Sequence, residues 1–247
     1  IMLNKHQNLR FRLLITTLAL GGLTGCASLA PTEANPSYFL SIQDGRAGLT
    51  DGKSIVRQAP DSLAIIEVLG DRMRLAHQVE MPTSLVGPPS SIAIAPSGNL
   101  ALISAATRRD PADPGKVIAH NLVSVVKLDP SGNQAPAVIQ SLTTGAGASG
   151  ISINRTGTAA LVANRVEGSI SLLSIDGERV EVVSTLKLGD KSGPAHAAFM
   201  PDGNRALVTR DGDSRISLIS ISGRTLKLEA REIFAGLRPY RLDISPN

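Results

Sequence analysis

The chain consists of short apolar runs separated by turn residues, and this arrangement recurs along its length. Within the runs, apolar side chains alternate with other residues, as at Ile92 and Ile94 and again at Ile151 and Ile153. A period of two is that of a β-strand, whereas an amphipathic helix would place apolar residues every three or four positions. The pattern therefore predicts an all-β fold and argues against an array of helical repeats.

Three segments align without gaps and mark a sequence repeat. They begin at Ser91, Gly150 and His196 and read SIAIAPSGNLALIS, GISINRTGTAALVA and HAAFMPDGNRALVT; a fourth copy starts at Arg241 with RLDISPN. Each full copy contains a glycine turn between two predicted strands. Successive turns are 59, 46 and 45 residues apart. A period of about 45 residues is typical of a four-stranded propeller blade.

The second half of each repeat predicts two more strands. They are Ser169–Ile175 and Arg179–Leu188 in the second copy, and Arg215–Ile221 and Leu226–Phe234 in the third. Glycine turns separate the two strands of each pair, as expected for hairpins. Four short antiparallel strands per repeat, joined in series, predict a β-propeller over residues 37–247.

The predicted blades are fewer than a closed ring needs. Seven blades of about 45 residues need roughly 315 residues, whereas residues 37–247 provide about four to five blades. The sequence stops within the turn after a first strand, where the earlier copies continue into a second strand. We therefore expect a seven-bladed propeller whose C-terminal part is missing from this sequence.

We also expect SYFLSIQDG to form a second or closing strand, followed by a third and a fourth strand in SLAIIEVLGDRMRLAHQVEMP.

The first 25 residues have the pattern of a cleaved leader. A basic start is followed by an apolar run from Leu13 to about Leu23, which is shorter than the roughly 20 residues that span a bilayer. The residues LTGC end at Cys26 and resemble the bacterial lipobox, whose cysteine is acylated before the leader is removed. The resemblance implies a signal peptide over residues 1–25, lipidation of Cys26 and a polar tether over residues 26–36.

The lipobox resemblance also implies a location in the cell envelope. Alanine follows the cysteine, and by the sorting pattern of these lipoproteins it favours the outer membrane, with the propeller facing the periplasm. Cys26 is the sole cysteine in the sequence, so no disulfide can form within the chain. We therefore expect the membrane to be a partner through the lipid anchor.

The formal net charge of +4 is largely a property of the leader. Lys5, Arg10 and Arg12 lie there, and outside it 22 Lys and Arg stand against 21 Asp and Glu. Such a balance lacks the basic excess of a nucleic-acid-binding protein, so we expect no nucleic-acid partner. The sequence contains no HExxH motif, phosphate-binding glycine loop or nucleophile elbow, and its four histidines are not spaced as metal ligands. We expect neither a cofactor nor a metal.

Two resemblances to known families concern the repeat itself. The turn PDG, followed by the strands RALVT and RISLISI, is similar to the YVTN-type propeller family, with alanine in place of the aromatic residue of its second strand. The segment GPAHAAFMPDG resembles the G-P-R-H-x-x-F-x-P-D-G element of seven-bladed lactonases of the 6-phosphogluconolactonase type, with Ala195 at the arginine position. This second resemblance implies a lactone hydrolase in which His196 is catalytic.

Two groups of residues are candidates for ligand binding. The first group lies where first strands begin, which is expected to be near one end of the central channel of a propeller. Its members are Ser91, His196, Tyr240 and Arg241. The second group lies in a charged insertion, which predicts a loop between second and third strands that is 12 residues longer than in the other copies. Its members are Arg108, Arg109, Asp110 and His120.

The sequence leaves two functions open. One is a lipid-anchored propeller of the cell envelope that binds or scaffolds a protein or small molecule through its channel-end loops, without catalysis. The other is a lactonase-like hydrolase of a sugar lactone, with His196 as a catalytic residue.

Overall fold

The computed structural model describes residues 35–51, 53–85 and 90–245, which form β-strands joined by turns. The strands are β1 Ser37–Gln43, β2 Ala47–Thr50, β3 Lys53–Val56, β4 Ser62–Leu69, β5 Arg72–Glu80, β6 Ile92–Ile94, β7 Leu100–Arg109, β8 Val117–Lys127, β9 Ala137–Thr143, β10 Ala148–Ile153, β11 Ala159–Asn164, β12 Ser169–Asp176, β13 Arg179–Lys187, β14 Pro194–Phe199, β15 Arg205–Arg210, β16 Arg215–Ser222 and β17 Thr225–Phe234. None of the described residues lies in a helix of the length and apolarity that crossing a bilayer requires. The predicted signal peptide, Cys26 and the tether up to residue 34 lie outside the described residues.

The strands are grouped in sheets that follow the order of the chain. We number the sheets as blades: blade 1 is β1-β4-β5, blade 2 is β6-β7-β8-β9, blade 3 is β10-β11-β12-β13 and blade 4 is β14-β15-β16-β17. The β2-β3 hairpin forms a small sheet of its own between β1 and β4. The predicted propeller of four-stranded antiparallel blades is confirmed, whereas the total of seven blades stays a prediction.

The third and fourth strands predicted in blades 3 and 4 match the structure to within one residue at each end. In blade 1, β1 pairs with β4 in antiparallel register from Ser37↔Val68 to Gln43↔Ser62. The first of these strands therefore occupies the second-strand position. β4 and β5 follow as the third and fourth strands, as the sequence predicts.

The hydrophobic core lies between the blades. One cluster joins blades 1 and 2, another joins blades 2 and 3, and another joins blades 3 and 4. Successive side chains of a strand point to opposite faces of the sheet, so neighbouring residues of a central strand belong to different clusters. In β11, for example, Leu161 packs towards blade 4 and Val162 packs towards blade 2. Because both faces are buried, the second strands are continuous apolar runs.

The outward faces of blades 1 and 4 carry apolar side chains similar to those in the core between blades. Phe39 and Leu75 of blade 1 are 55% and 57% exposed, and Ile233 of blade 4 is 61% exposed. Within the described part of the chain, no further blade covers these two faces. Both are therefore apolar surfaces of the type that lies buried between neighbouring blades.

Two kinds of connection meet at one end of the blades, which we call the upper end. Strand direction alternates in an antiparallel sheet, so the turn from second to third strand lies at the same end as the link to the next blade. Backbone hydrogen bonds join the two: Leu85 N donates to Thr107 O at 3.4 Å, and Gly147 N donates to His120 O at 2.7 Å. The upper end therefore holds the predicted insertion and the starts of the first strands.

Candidate functional site

The charged insertion, predicted as a long loop, is an extension of the β7-β8 hairpin. The two strands continue to pair as far as Arg109↔Val117, so only residues 110–116 form the turn. Val117 and Ile118 are β-branched and favour a strand, and both prolines of the segment fall in the turn, where no ladder hydrogen bond is required. As a result, Arg108 and Arg109 lie on a strand with fixed backbone geometry.

A cavity of about 450 Å³ opens at the upper end between blades 1 and 2. The residues around the β2-β3 hairpin, the connection from β5 to β6 and the β7-β8 hairpin form its wall. Its charged and titratable lining residues are Arg46, Asp61, Glu80, Arg108, Arg109 and His120. Met81 and Leu85 supply an apolar part of the wall and are 5% and 2% exposed. The volume and the mixed lining are those of a small-molecule site.

Asp61 is a buried carboxyl group at the base of this cavity. Its Oδ1 accepts a hydrogen bond from Gly45 N at 3.1 Å, and its Oδ2 accepts one from Thr83 N at 3.5 Å. Arg46 Nε lies 3.8 Å from Asp61 Oδ2. Burial raises the pKa of Asp61, and the two backbone hydrogen bonds oppose that rise. Asp61 thereby ties together the segments that carry Gly45 and Thr83, both of which belong to the cavity wall region.

His120 lies on the β7-β8 hairpin and lines the cavity. Burial lowers its pKa, and the positive charge of Arg108 lowers it further. Because the ordinary pKa of histidine is 6.5, the imidazole is neutral at pH 7. A neutral imidazole has one nitrogen with a free electron pair, so His120 is able to accept a proton there.

Arg109 is held against blade 1 by its guanidinium group. Its Nη2 donates to Arg46 O at 3.2 Å, which links the β7-β8 hairpin to the residues before β2. Its Nε is buried and has no hydrogen-bond partner among the described residues. Such an unsatisfied donor is uncommon in a folded protein and requires an explanation.

Three of the four candidates in the insertion therefore share this cavity. Asp110 does not line it, because its Oδ1 accepts a hydrogen bond from Ala112 N at 2.9 Å within the hairpin turn. Arg46 and Asp61 are further cavity residues that the sequence did not indicate. They lie on either side of the β2-β3 hairpin, which has no counterpart in the other repeats, so no aligned position points to them.

The candidates near the first strands are separated by the structure. Ser91 is buried in blade 2, and its carbonyl oxygen accepts a hydrogen bond from Ser104 N at 2.9 Å. His196 and Tyr240 lie near each other, because Thr209 Oγ1 accepts from His196 N at 3.1 Å and donates to Tyr240 O at 2.7 Å. Arg241 follows Tyr240 and is exposed. His196, Tyr240 and Arg241 thus form one group, from which Ser91 is absent.

An ion cluster fixes the segment that carries Tyr240. Asp211, whose side chain is 1% exposed, forms salt bridges with Arg165 of blade 3 and with Arg238, which follows β17. The hydrogen bond from Arg238 is the main cause that lowers the pKa of Asp211, and Arg165 adds to it. The Arg165 guanidinium also lies 5.6 Å from the centre of the Tyr240 ring, within cation–π range. The cluster therefore joins the upper ends of blades 3 and 4.

His196 lies beside a smaller cavity of about 180 Å³, together with Arg155 and Asp243. Burial lowers the pKa of His196, and the charge of Arg241 lowers it further. Its Nδ1 is enclosed by protein atoms and has no hydrogen-bond partner among the described residues. The described part of the chain contains no group of three or more His, Cys, Asp and Glu side chains placed to hold a metal ion.

The His196 ring packs against the backbone of Gly150 in the preceding blade. A Cβ atom at position 150 would lie 2.4 Å from Ala195 O and 2.7 Å from His196 Cδ2. The glycine in this repeat position is therefore required by the close approach of two first strands. His196 owes its enclosed position to that approach.

Replacing Gly150 with alanine should destabilise the fold by about 1–3 kcal/mol, since the first strands of blades 3 and 4 must move apart. The measurement is the urea midpoint of unfolding. The matched control is Gly115→Ala, where a Cβ atom would meet only the flexible Asp113 Oδ1 at 3.2 Å. Equal midpoints for the two variants would show that the first strands do not make this contact.

Comparison of the sequence with protein-family models and with curated proteins gives no match. Comparison of the fold with solved structures does give matches. A candidate 6-phosphogluconolactonase from Bacteroides fragilis is 15% identical, with a TM-score of 0.58, over 80% of this chain and 59% of that one. A candidate 6-phosphogluconolactonase from Bacteroides uniformis is 13% identical, with a TM-score of 0.58, over 86% of this chain and 72% of that one.

The periplasmic gluconolactonase of Pseudomonas aeruginosa is also similar, with 17% identity and a TM-score of 0.54 over 75% of this chain and 52% of that one. At these identities the likeness concerns the fold, which is that of a β-propeller. This chain spans less than two thirds of the Bacteroides fragilis and Pseudomonas structures.

Proposed function

We propose that this protein is a sugar-lactone hydrolase of the bacterial cell envelope that acts in the cavity between blades 1 and 2. The observation that carries the proposal is that His120 lines a cavity of about 450 Å³ together with Arg108 and Arg109, with its pKa lowered by burial and by Arg108. The fold likeness to three structures described as lactonases, one of them periplasmic, supports the reaction class and the compartment.

The chemistry of lactone hydrolysis suits these side chains. His120 accepts a proton from water while the water oxygen forms a bond to the lactone carbonyl carbon. The carbonyl oxygen becomes negatively charged, and the guanidinium groups stabilise that charge. The ring C–O bond then breaks, the ring oxygen receives the proton from His120, and the product is the open-chain sugar acid.

His120 is a better proton acceptor in this proposal than His196, to which the lactonase resemblance points. The Nδ1 of His196 is enclosed, and its cavity of about 180 Å³ is below the range of roughly 300–1,000 Å³ that is usual for ligand sites. The cavity beside His120 falls within that range. The proposal therefore assigns His196 a packing role against Gly150.

The proposal includes attachment to the outer membrane through acylated Cys26, with the propeller in the periplasm. This part depends on the leader sequence, on the lipobox resemblance at Cys26 and on the alanine that follows it.

The test is hydrolysis of glucono-1,5-lactone by the purified full chain, followed as acid release at constant pH. We expect a rate above the spontaneous reaction that saturates with substrate concentration and scales with protein concentration. Glucose serves as the control sugar, because it has the ring and the hydroxyl groups but no ester bond to break. A rate equal to the spontaneous one for gluconolactone and for other aldonolactones would refute the proposal.

Non-catalytic binding is the second candidate function. The cationic lining of the same cavity favours it, because arginine side chains hold anions whether or not a reaction follows. In that case the full chain would bind a sugar acid and release no acid from a lactone.

A further inference from the structure

We propose that Arg46 and Arg109 form a binding site for a carboxylate or phosphate group, and that an anion bound there joins blade 1 to blade 2. The site lies in the cavity of the proposed function, but anion binding requires no hydrolysis. The binding proposal is therefore tested separately from the lactonase proposal. The ligand class is a small polar molecule with one such anionic group.

The arrangement of charges in the cavity supports this inference. Arg108 and Arg109 form no salt bridge with any described residue. Arg46 forms one among the described residues, with Asp61 at 3.8 Å. The carboxylate of Asp61 is already engaged by two backbone N–H groups. Glu80, the other carboxylate of the wall, is exposed at the end of β5. Among the residues that line the cavity there are therefore three guanidinium groups and two carboxylates.

The geometry of Arg109 indicates where an anion would bind. The hydrogen bond from Nη2 to Arg46 O fixes the guanidinium plane at the border of the two blades. The buried Nε is left without an acceptor among the described residues. Carboxylate and phosphate oxygens are the acceptors that match a guanidinium group, and they pair with it through two parallel hydrogen bonds. The Nε atom is enclosed by protein atoms, so an anion in the cavity would pair with the Nη groups of Arg109.

The position of the two arginines explains why the anion would join the blades. Arg46 belongs to the connection of blade 1 and is largely exposed, whereas Arg109 belongs to the second strand of blade 2. An anion between them contacts both blades at once. Binding to the folded state alone would then stabilise this interface in proportion to ligand occupancy.

The experiment measures binding of inorganic phosphate, gluconate and glucose to the full chain by titration calorimetry. We expect phosphate or gluconate to bind and glucose not to bind, and the tighter of the two anions identifies the group that the site prefers. Arg109→Met should raise the Kd at least tenfold. Arg46→Met should act in the same direction.

The matched control is Arg231→Met, which removes one positive charge from an exposed position on β17 and should change the Kd less than twofold. Hydrogen exchange with and without the anion tests the joining of the blades. We expect slower exchange both in residues 44–47 and around Arg109, at the turn end of the β7-β8 hairpin. The inference is overturned if neither anion binds, if Arg109→Met behaves as Arg231→Met does, or if protection is confined to one blade.

Discussion

The His120→Gln variant should hydrolyse glucono-1,5-lactone about 10²–10⁴-fold more slowly than the wild type, which is the usual contribution of a general base. Glutamine keeps the size and polarity of the side chain but has no basic nitrogen. The loss should appear in kcat, because the proton is transferred in the chemical step and the arginines of the cavity remain. The measurement is acid release at constant pH over a range of substrate concentrations.

The pH profile gives this prediction a second readout. Burial and Arg108 lower the pKa of His120 below its ordinary value of 6.5, so the neutral imidazole is the major form at pH 6.5. Activity should fall only as the pH drops through the lowered pKa, and the variant should lack this acid limb. Arg108→Met removes one of the two causes and should move the limb to higher pH.

His196→Gln is the control that separates the two histidines. Its residue packs against Gly150 and lines the smaller cavity, so we expect turnover within a few-fold of the wild type once the folded fraction is taken into account. The opposite ranking, with His196→Gln inactive and His120→Gln active, would transfer the reaction to the site implied by the lactonase resemblance.

The Leu161→Ala variant should lose about 2–5 kcal/mol of unfolding free energy, the usual cost of removing a large side chain from a packed core. Leu161 is 0% exposed and belongs to the cluster between blades 3 and 4. The surrounding strands are tied by their backbone ladders and have little freedom to close the space. The measurement is urea unfolding at neutral pH, with the midpoint and the slope determined together.

Leu237→Ala is the matched control, because it removes the same atoms from a residue that is 85% exposed. We expect it to change the unfolding free energy by less than about 0.5 kcal/mol. If Leu161→Ala were equally mild, the cluster between blades 3 and 4 would not hold these blades together.

The repeat made the fold predictable from sequence. Strand boundaries in blades 3 and 4 follow from glycine turns and from apolar periodicity, both of which are local properties of the chain. The continuous apolar run at Leu161 and Val162 also has a local cause, because both faces of the strand are buried. These features need no knowledge of distant contacts.

The cavity was only partly predictable, because it is made by contacts between blades. Arg108, Arg109 and His120 stand out in an unusual charged insertion, yet the sequence suggested a loop where the strands continue. The approach of Arg46 and Asp61 depends on the β2-β3 hairpin, which occurs in one blade alone among those described. The enclosure of His196 likewise depends on Gly150, a residue 46 positions earlier in the sequence.

The placement of the core between blades has a consequence for how the protein comes apart. Each described blade contributes one face to each neighbour, so its stability is a sum of nearest-neighbour terms, as in a one-dimensional chain. Blade 3 shares clusters with blades 2 and 4, whereas blade 4 shares a cluster with blade 3 alone among the described blades. Detaching blade 4 breaks one interface between described blades, whereas releasing blade 3 breaks two. Blade 2 likewise shares clusters with blades 1 and 3. In the described part of the chain, local unfolding should therefore start at blades 1 and 4 and reach blades 2 and 3 last.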